Sequence, residues 1–94
     1  MDKTYLISYD LGVPEGSEDY KKVIDYIKSF GTWAKGLKSL WFVVSSEKTE
    51  SLIRDDLQSI TDSNDKILVM DVSDDYWATA RIGKEITDWM TNNI

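Results

Sequence analysis

The chain has no cysteine and no histidine, so its chemistry is left to carboxylates, hydroxyls and lysines. Disulfides, thiolate metal sites, nucleophile–histidine catalysis and the commonest zinc ligation are excluded. Asp10 is the residue most suited to chemistry. It ends an apolar segment and is followed by Gly12 and Pro14, a setting in which an aspartate also makes an Asx-type turn. Ser8, Ser45 and Ser46 have hydroxyls suited to hold a phosphate or a water beside Asp10. They are equally suited to end strands, with Ser46 capping a helix. No histidine exists and no lysine is placed as a base, which disfavours a serine nucleophile.

Positive charge is concentrated at Lys21, Lys22, Lys28, Lys35 and Lys38, in a chain with 17 acidic and 11 basic residues and a net charge of −6. That balance repels phosphate backbones overall, so a nucleic-acid role needs a local patch. Lys35 and Lys38 are the candidate contacts to a nucleic acid or a protein partner. The alternative is a solvated helix face, with Glu18 or Asp25 as partners worth a few tenths of a kcal/mol each. Trp33, Trp41 and Phe42 would be stacking platforms if exposed, but the basic-aromatic consensus of RNA-binding sheets is missing and core or dimer packing is favoured. Asp71, Asp74 and Asp75 lack the glycine and distal glutamate of an EF-hand loop and read as a solvated turn.

The elements that must position these residues follow from patterning. Thr4–Tyr9 is β-branched and aromatic and stops at the Gly- and Pro-punctuated stretch 10–16, giving a first strand and loop. Ser17 is placed to cap a helix with Glu18 and Asp19 in its first turn and Tyr20, Val23, Ile24, Ile27 and Phe30 at helical spacing. Gly31 is expected as its C′ residue. Residues 32–45 predict a hairpin of strands two and three, with Lys35-Gly36 as a bulge or turn. Ser46 or Thr49 caps a second helix bearing Leu52, Ile53, Leu57 and Ile60. The turn Asp62-Ser63-Asn64-Asp65 leads to strand four, Lys66–Val72. Ile82, Ile86, Trp89 and Met90 mark a C-terminal helix.

The order β-α-β-β-α-β-α predicts one α+β domain over residues 1–94. It is a ferredoxin-like βαββαβ sandwich, an antiparallel sheet with helices on one face, and an extra C-terminal helix. Length caps the chain at one core. Leu6 and the apolar third and fourth strands leave the second sheet face too hydrophobic for water, so either the C-terminal helix or a second protomer must cover it. No stretch approaches the ~18–20 apolar residues that span a membrane and no leader is seen, so a cytoplasmic protein without membrane contact is expected.

Tyr9-Asp10-Leu11, the run Trp41-Phe42-Val43-Val44-Ser45-Ser46 and the stretch Asp62–Val69 resemble the SinR-like branch of the CRISPR-associated Cas-two superfamily, which includes VapD-like toxins. The resemblance covers nearly the whole chain. It implies a ferredoxin-like homodimer. In the nuclease members an aspartate ending strand one lies near the two-fold axis and, with its symmetry mate, helps hold a divalent metal. Asp10 matches that position. Two carboxylates brought together there require a counter-charge, so Mg²⁺ or Mn²⁺ is the implied cofactor, able to activate a water for attack on phosphorus. Other members cleave RNA or act as DNA-bound scaffolds. Sparse basic residues and a helical C-terminus, where the superfamily often uses a fifth strand, depart from the nuclease pattern. The sequence therefore carries two functional expectations: a non-catalytic or vestigial-nuclease interaction module, and an Mg²⁺-dependent endonuclease acting on RNA or DNA through an Asp10 pair.

Overall fold

The computed structural model describes residues 1–14 and 16–94. Seven elements follow in order: β1 (Lys3–Asp10), α1 (Glu18–Lys28), β2 (Trp33–Leu37), β3 (Leu40–Ser45), α2 (Glu50–Gln58), β4 (Lys66–Asp71) and α3 (Lys84–Asn93). The strands form one antiparallel sheet in the order β2-β3-β1-β4. This is the expected α+β ferredoxin-like arrangement with an additional C-terminal helix.

Alternation along β1 decides which residues face which layer. Tyr5, Ile7 and Tyr9 are buried, and the register sets Ile7 opposite Trp41 and Tyr5 opposite Val43. On this face lie Val23 and Ile27 of α1 and Ile53 and Leu57 of α2, completing the core. Each buried aliphatic side chain contributes about 1.5–3 kcal/mol relative to exposure. Glu18 and Asp19 in the first turn of α1 and Lys28 in its last suit the helix dipole.

Element ends refine the sequence reading. Ser17 is the N-cap of α1, but its hydroxyl makes no capping bond. The C-cap is Ser29, so Gly31, with φ +84, lies beyond the expected C′ position. The helix stops early because the amides of Ser29, Phe30 and Gly31 fold back onto carbonyls of the last turn. Thr49, not Ser46, caps α2, accepting from the Leu52 amide at 3.3 Å. The expected bulge in the hairpin falls between Lys35 and Leu37, where a Cβ on Gly36 would meet Phe42 Cε2 at 3.1 Å.

The second face of the sheet is covered by halves. Over β2 and β3, Trp89 of α3 stacks on Phe42 with centroids 6.0 Å apart, Met90 is buried, and the Thr4 hydroxyl donates to the Asn93 carbonyl. Phe42, Ala34 and Thr4 are buried in consequence. α3 reaches Thr4 at the start of β1, but toward the end of β1 and along β4 there is no such cover among the described residues: Leu68 and Met70 are 52% and 46% exposed. The C-terminal helix thus resolves one half of the question the sequence leaves open.

Candidate functional site

Asp10 occupies the last position of β1 and is exposed. Alternation places it with Leu6 and Ser8 on the second face of the sheet, the face away from α1 and α2. The β1–β4 register sets it opposite Lys66 and sets Ser8 opposite Leu68. Ser8, Asp10 and Lys66 border a shallow depression of about 200 Å³. The side chain is therefore presented to solvent beside a cation, at the margin of the uncovered apolar half.

Ser45 and Ser46 do not share this place. Antiparallel pairing sets Ser45 opposite Lys3, seven positions along the strand from Asp10, or about 23 Å at strand rise. The Ser45 hydroxyl accepts from the Glu47 and Lys48 amides at 3.3 and 3.1 Å, turning the chain into α2. Its role is local, and the expectation that it assists Asp10 is corrected. The aromatics take the packing roles favoured by sequence: Trp41 and Phe42 are buried, Trp33 packs on Trp41 at 5.6 Å, and the Trp41 indole donates to the Tyr9 hydroxyl at 3.0 Å. At the end of β4, Asp71 accepts from the Ser73 amide at 3.0 Å and lies 3.6 Å from Lys3. The Ser73 hydrogen bonds, then Lys3, hold its carboxyl below the usual range.

The lysines separate into two settings. Lys28 lies 5.1 Å above the Trp33 ring. Lys21, Lys35 and Lys38 converge on a cavity of about 400 Å³ between the start of α1 and the β2–β3 hairpin, with Tyr9, Tyr20 and Ile24 beneath. Lys35 Nζ also lies 5.4 Å above the Trp41 ring, and Lys21 pairs with Asp25 at 2.9 Å. Lys22 is exposed and is not among the described residues lining the cavity. Lys35 and Lys38, 25 or more residues after Asp10 in sequence, reach the same end of the sheet, because the Tyr9 amide donates to the Ser39 carbonyl at 3.1 Å.

Two arrangements were not legible in the sequence. Ligand oxygens of Asp19, Asp62 and Asp65 lie within 4.8 Å of one another, the one such group of three acidic residues among the described residues, and Asp10 is not in it. Asp65 is committed internally, accepting from the Gly12 amide and the Asp62 amide, each at 2.8 Å. The second is a clamp between helices. Asp56 of α2 accepts from the Tyr26 hydroxyl of α1 at 2.7 Å and from Lys48 Nζ at 2.5 Å. The Lys48 hydrogen bond, then that of Tyr26, lowers the Asp56 pKa. Burial, then Asp56, raises that of Tyr26.

The strand order, the aspartate ending β1 and the two helices on one face agree with a match to the family model described as CRISPR associated protein Cas2, which extends over residues 3–80. The chain belongs to the Cas2 family. The matched region contains the whole sheet, α1 and α2 and stops short of α3. The helix that covers the β2–β3 half of the second face is thus outside the region by which the family is recognised. No solved structure matches the chain significantly. No helix among the described residues is long and apolar enough to cross a membrane.

Proposed function

We propose that this Cas2 family protein is a homodimeric, non-catalytic interaction module of the SinR-like branch that binds nucleic acid. The uncovered β1–β4 half of the second sheet face carries this reading. Leu68 and Met70 project from it at 52% and 46% exposure, while α3 fills the neighbouring half. A two-fold contact through that half buries both side chains in each protomer, and the lysine-rimmed cavity supplies phosphate contacts that the net charge of −6 does not.

The setting of Asp10 supports a module without catalysis. Its cross-strand neighbour is the cation Lys66, which offers the carboxylate a counter-charge other than a metal ion. Labelled RNA and DNA incubated with the protein in Mg²⁺ or Mn²⁺ are expected to remain intact while being retarded in a gel. Metal-dependent cleavage that Asp10→Ala abolishes would overturn this assignment.

One observation favours a second reading. Asp10 lies at the edge of the same uncovered half, so a two-fold contact there brings two copies of it toward the axis. In an Mg²⁺-dependent endonuclease the Asp10 pair would hold the ion with waters completing its shell. The ion would supply an activated water for phosphodiester hydrolysis.

A further inference from the structure

The second face of the sheet is shaped as a step. Its raised half is α3 over β2 and β3, and its low half is the bare end of β1 with β4. The register sets Leu6 opposite Phe42 on one side and Met70 on the other, so one apolar row crosses the foot of the step. The riser is the strap between β4 and α3. It leaves β4 where the Val72 amide donates to the Thr4 carbonyl at 2.9 Å. Farther on, Ala78 and Ala80 lie with Leu6, Leu37 and Leu40 around an apolar cavity of about 370 Å³. Tyr76 and Trp77 stand between these two anchorages. Tyr76 is fully exposed and Trp77 is 39% exposed, and neither ring meets another aromatic ring among the described residues. The exposed large hydrophobics Leu68, Met70, Tyr76 and Trp77 thus follow one another along the low half and its wall.

A step of this height is its own complement. A helix with its side chains is about 10 Å thick and two sheets pack face to face about 10 Å apart, so a partner sheet laid on the low half lies level with α3. A two-fold axis along the strands at the foot of the step achieves this for both copies at once. Low half meets low half, and each riser abuts the other copy's β4, which is the outer strand of the sheet. A rotation that set raised half over raised half would stack helix on helix and leave Leu68 and Met70 bare. Tyrosine and tryptophan are among the residue types that dominate interface energies once a partner buries them. Resting on the dimer reading above, we infer that the strap is a docking element for a second copy of this chain. Tyr76 and Trp77 of one protomer pack against Leu68 and Met70 of the other, and the strap supplies the energetic centre of the contact.

The chain has no cysteine, so cysteines introduced singly report the pairing directly. Full-length Tyr76→Cys and Leu68→Cys proteins should be oxidised separately and as an equimolar mixture, then resolved by non-reducing electrophoresis. Sedimentation equilibrium should be run on the unaltered chain and on Tyr76→Ser, a change at a fully exposed position that leaves the fold intact by circular dichroism. The mixture should give a covalent dimer well above the yield of either protein alone, and Tyr76→Ser should raise the dimer dissociation constant about tenfold, the scale of an interface hot spot. A stable dimer whose crosslinks are confined to the separate proteins, or whose dissociation constant is unmoved by Tyr76→Ser, overturns the role of the strap and leaves the dimer standing. A monomeric unaltered chain overturns the dimer and the strap contact together.

Discussion

Asp10 and Lys66 face each other at the end of the β1–β4 ladder, so the aspartate that ends β1 has a built-in cationic neighbour. The pairing follows from strand order. Because β4 lies antiparallel to β1 at the sheet edge, its first residue meets the last of β1. Opposite charges placed across a ladder are mildly favourable, and both side chains remain exposed.

Asp10→Ala should therefore leave the fold nearly as stable as before. An exposed position outside the core falls within about 0.5 kcal/mol. Calorimetry should find the melting temperature nearly unmoved; a loss of 2 kcal/mol or more (about the scale of a core truncation) would mean that Asp10 supports the structure.

The Asp56 clamp predicts a pH dependence. Lys48 and Tyr26 lower the Asp56 pKa in the folded chain, so the unfolded chain binds its proton more readily. The stabilisation is fully present above the ordinary carboxylate pKa and is lost as pH falls through the lower, folded value. Asp56→Ala should cost about 1 kcal/mol near neutrality, modest because solvent screens a pair with side chains 41% and 38% exposed. Urea melts at pH 7 and pH 3 should give a difference between the two proteins that shrinks in acid. A constant difference would assign the effect to packing.

Trp89 anchors α3 through its stack on Phe42. Trp89→Ala should cost about 2–3 kcal/mol, less than a fully buried aromatic, and the loss should be local. Hydrogen exchange should accelerate in α3 and at Ala34 while the Ile7 and Val43 amides stay protected. Uniform acceleration would show that α3 is part of the cooperative core.

Asp65 ties the loop after Asp10 to the turn before β4, accepting from both the Gly12 and Asp62 amides. Asp65→Ala removes both acceptors at an exposed site, for a loss of about 1–2 kcal/mol. Amide exchange at Gly12 and Asp62 should rise together; an increase at one alone would break the link between the two segments.

The sheet was legible because its signals are local. Tyr5, Ile7 and Tyr9 alternate, Val23 and Ile27 recur at helical spacing, and Gly36 marks the bulge. Helix ends were less so, because whether Ser17, Ser46 or Thr49 accepts a capping bond depends on the chain direction entering the helix. Asp10 and the lysines were identified by type, but their surroundings are set by pairing: register separates Ser45 from Asp10 and brings Lys35 and Lys38 to Tyr20. Asp56 meets Tyr26 across 30 residues and Asp65 meets Gly12 across 53, and no local pattern reports either contact.

The dimer through the uncovered β1–β4 half is tested most directly by sedimentation equilibrium of the unaltered chain and of a Leu68→Glu, Met70→Glu variant. The unaltered chain should sediment at twice the 10.8 kDa protomer mass, and the variant, with its charges on that half of the face, should sediment as the protomer while keeping its helix and strand content. A monomeric unaltered chain, or a variant that still dimerises, would contradict the account.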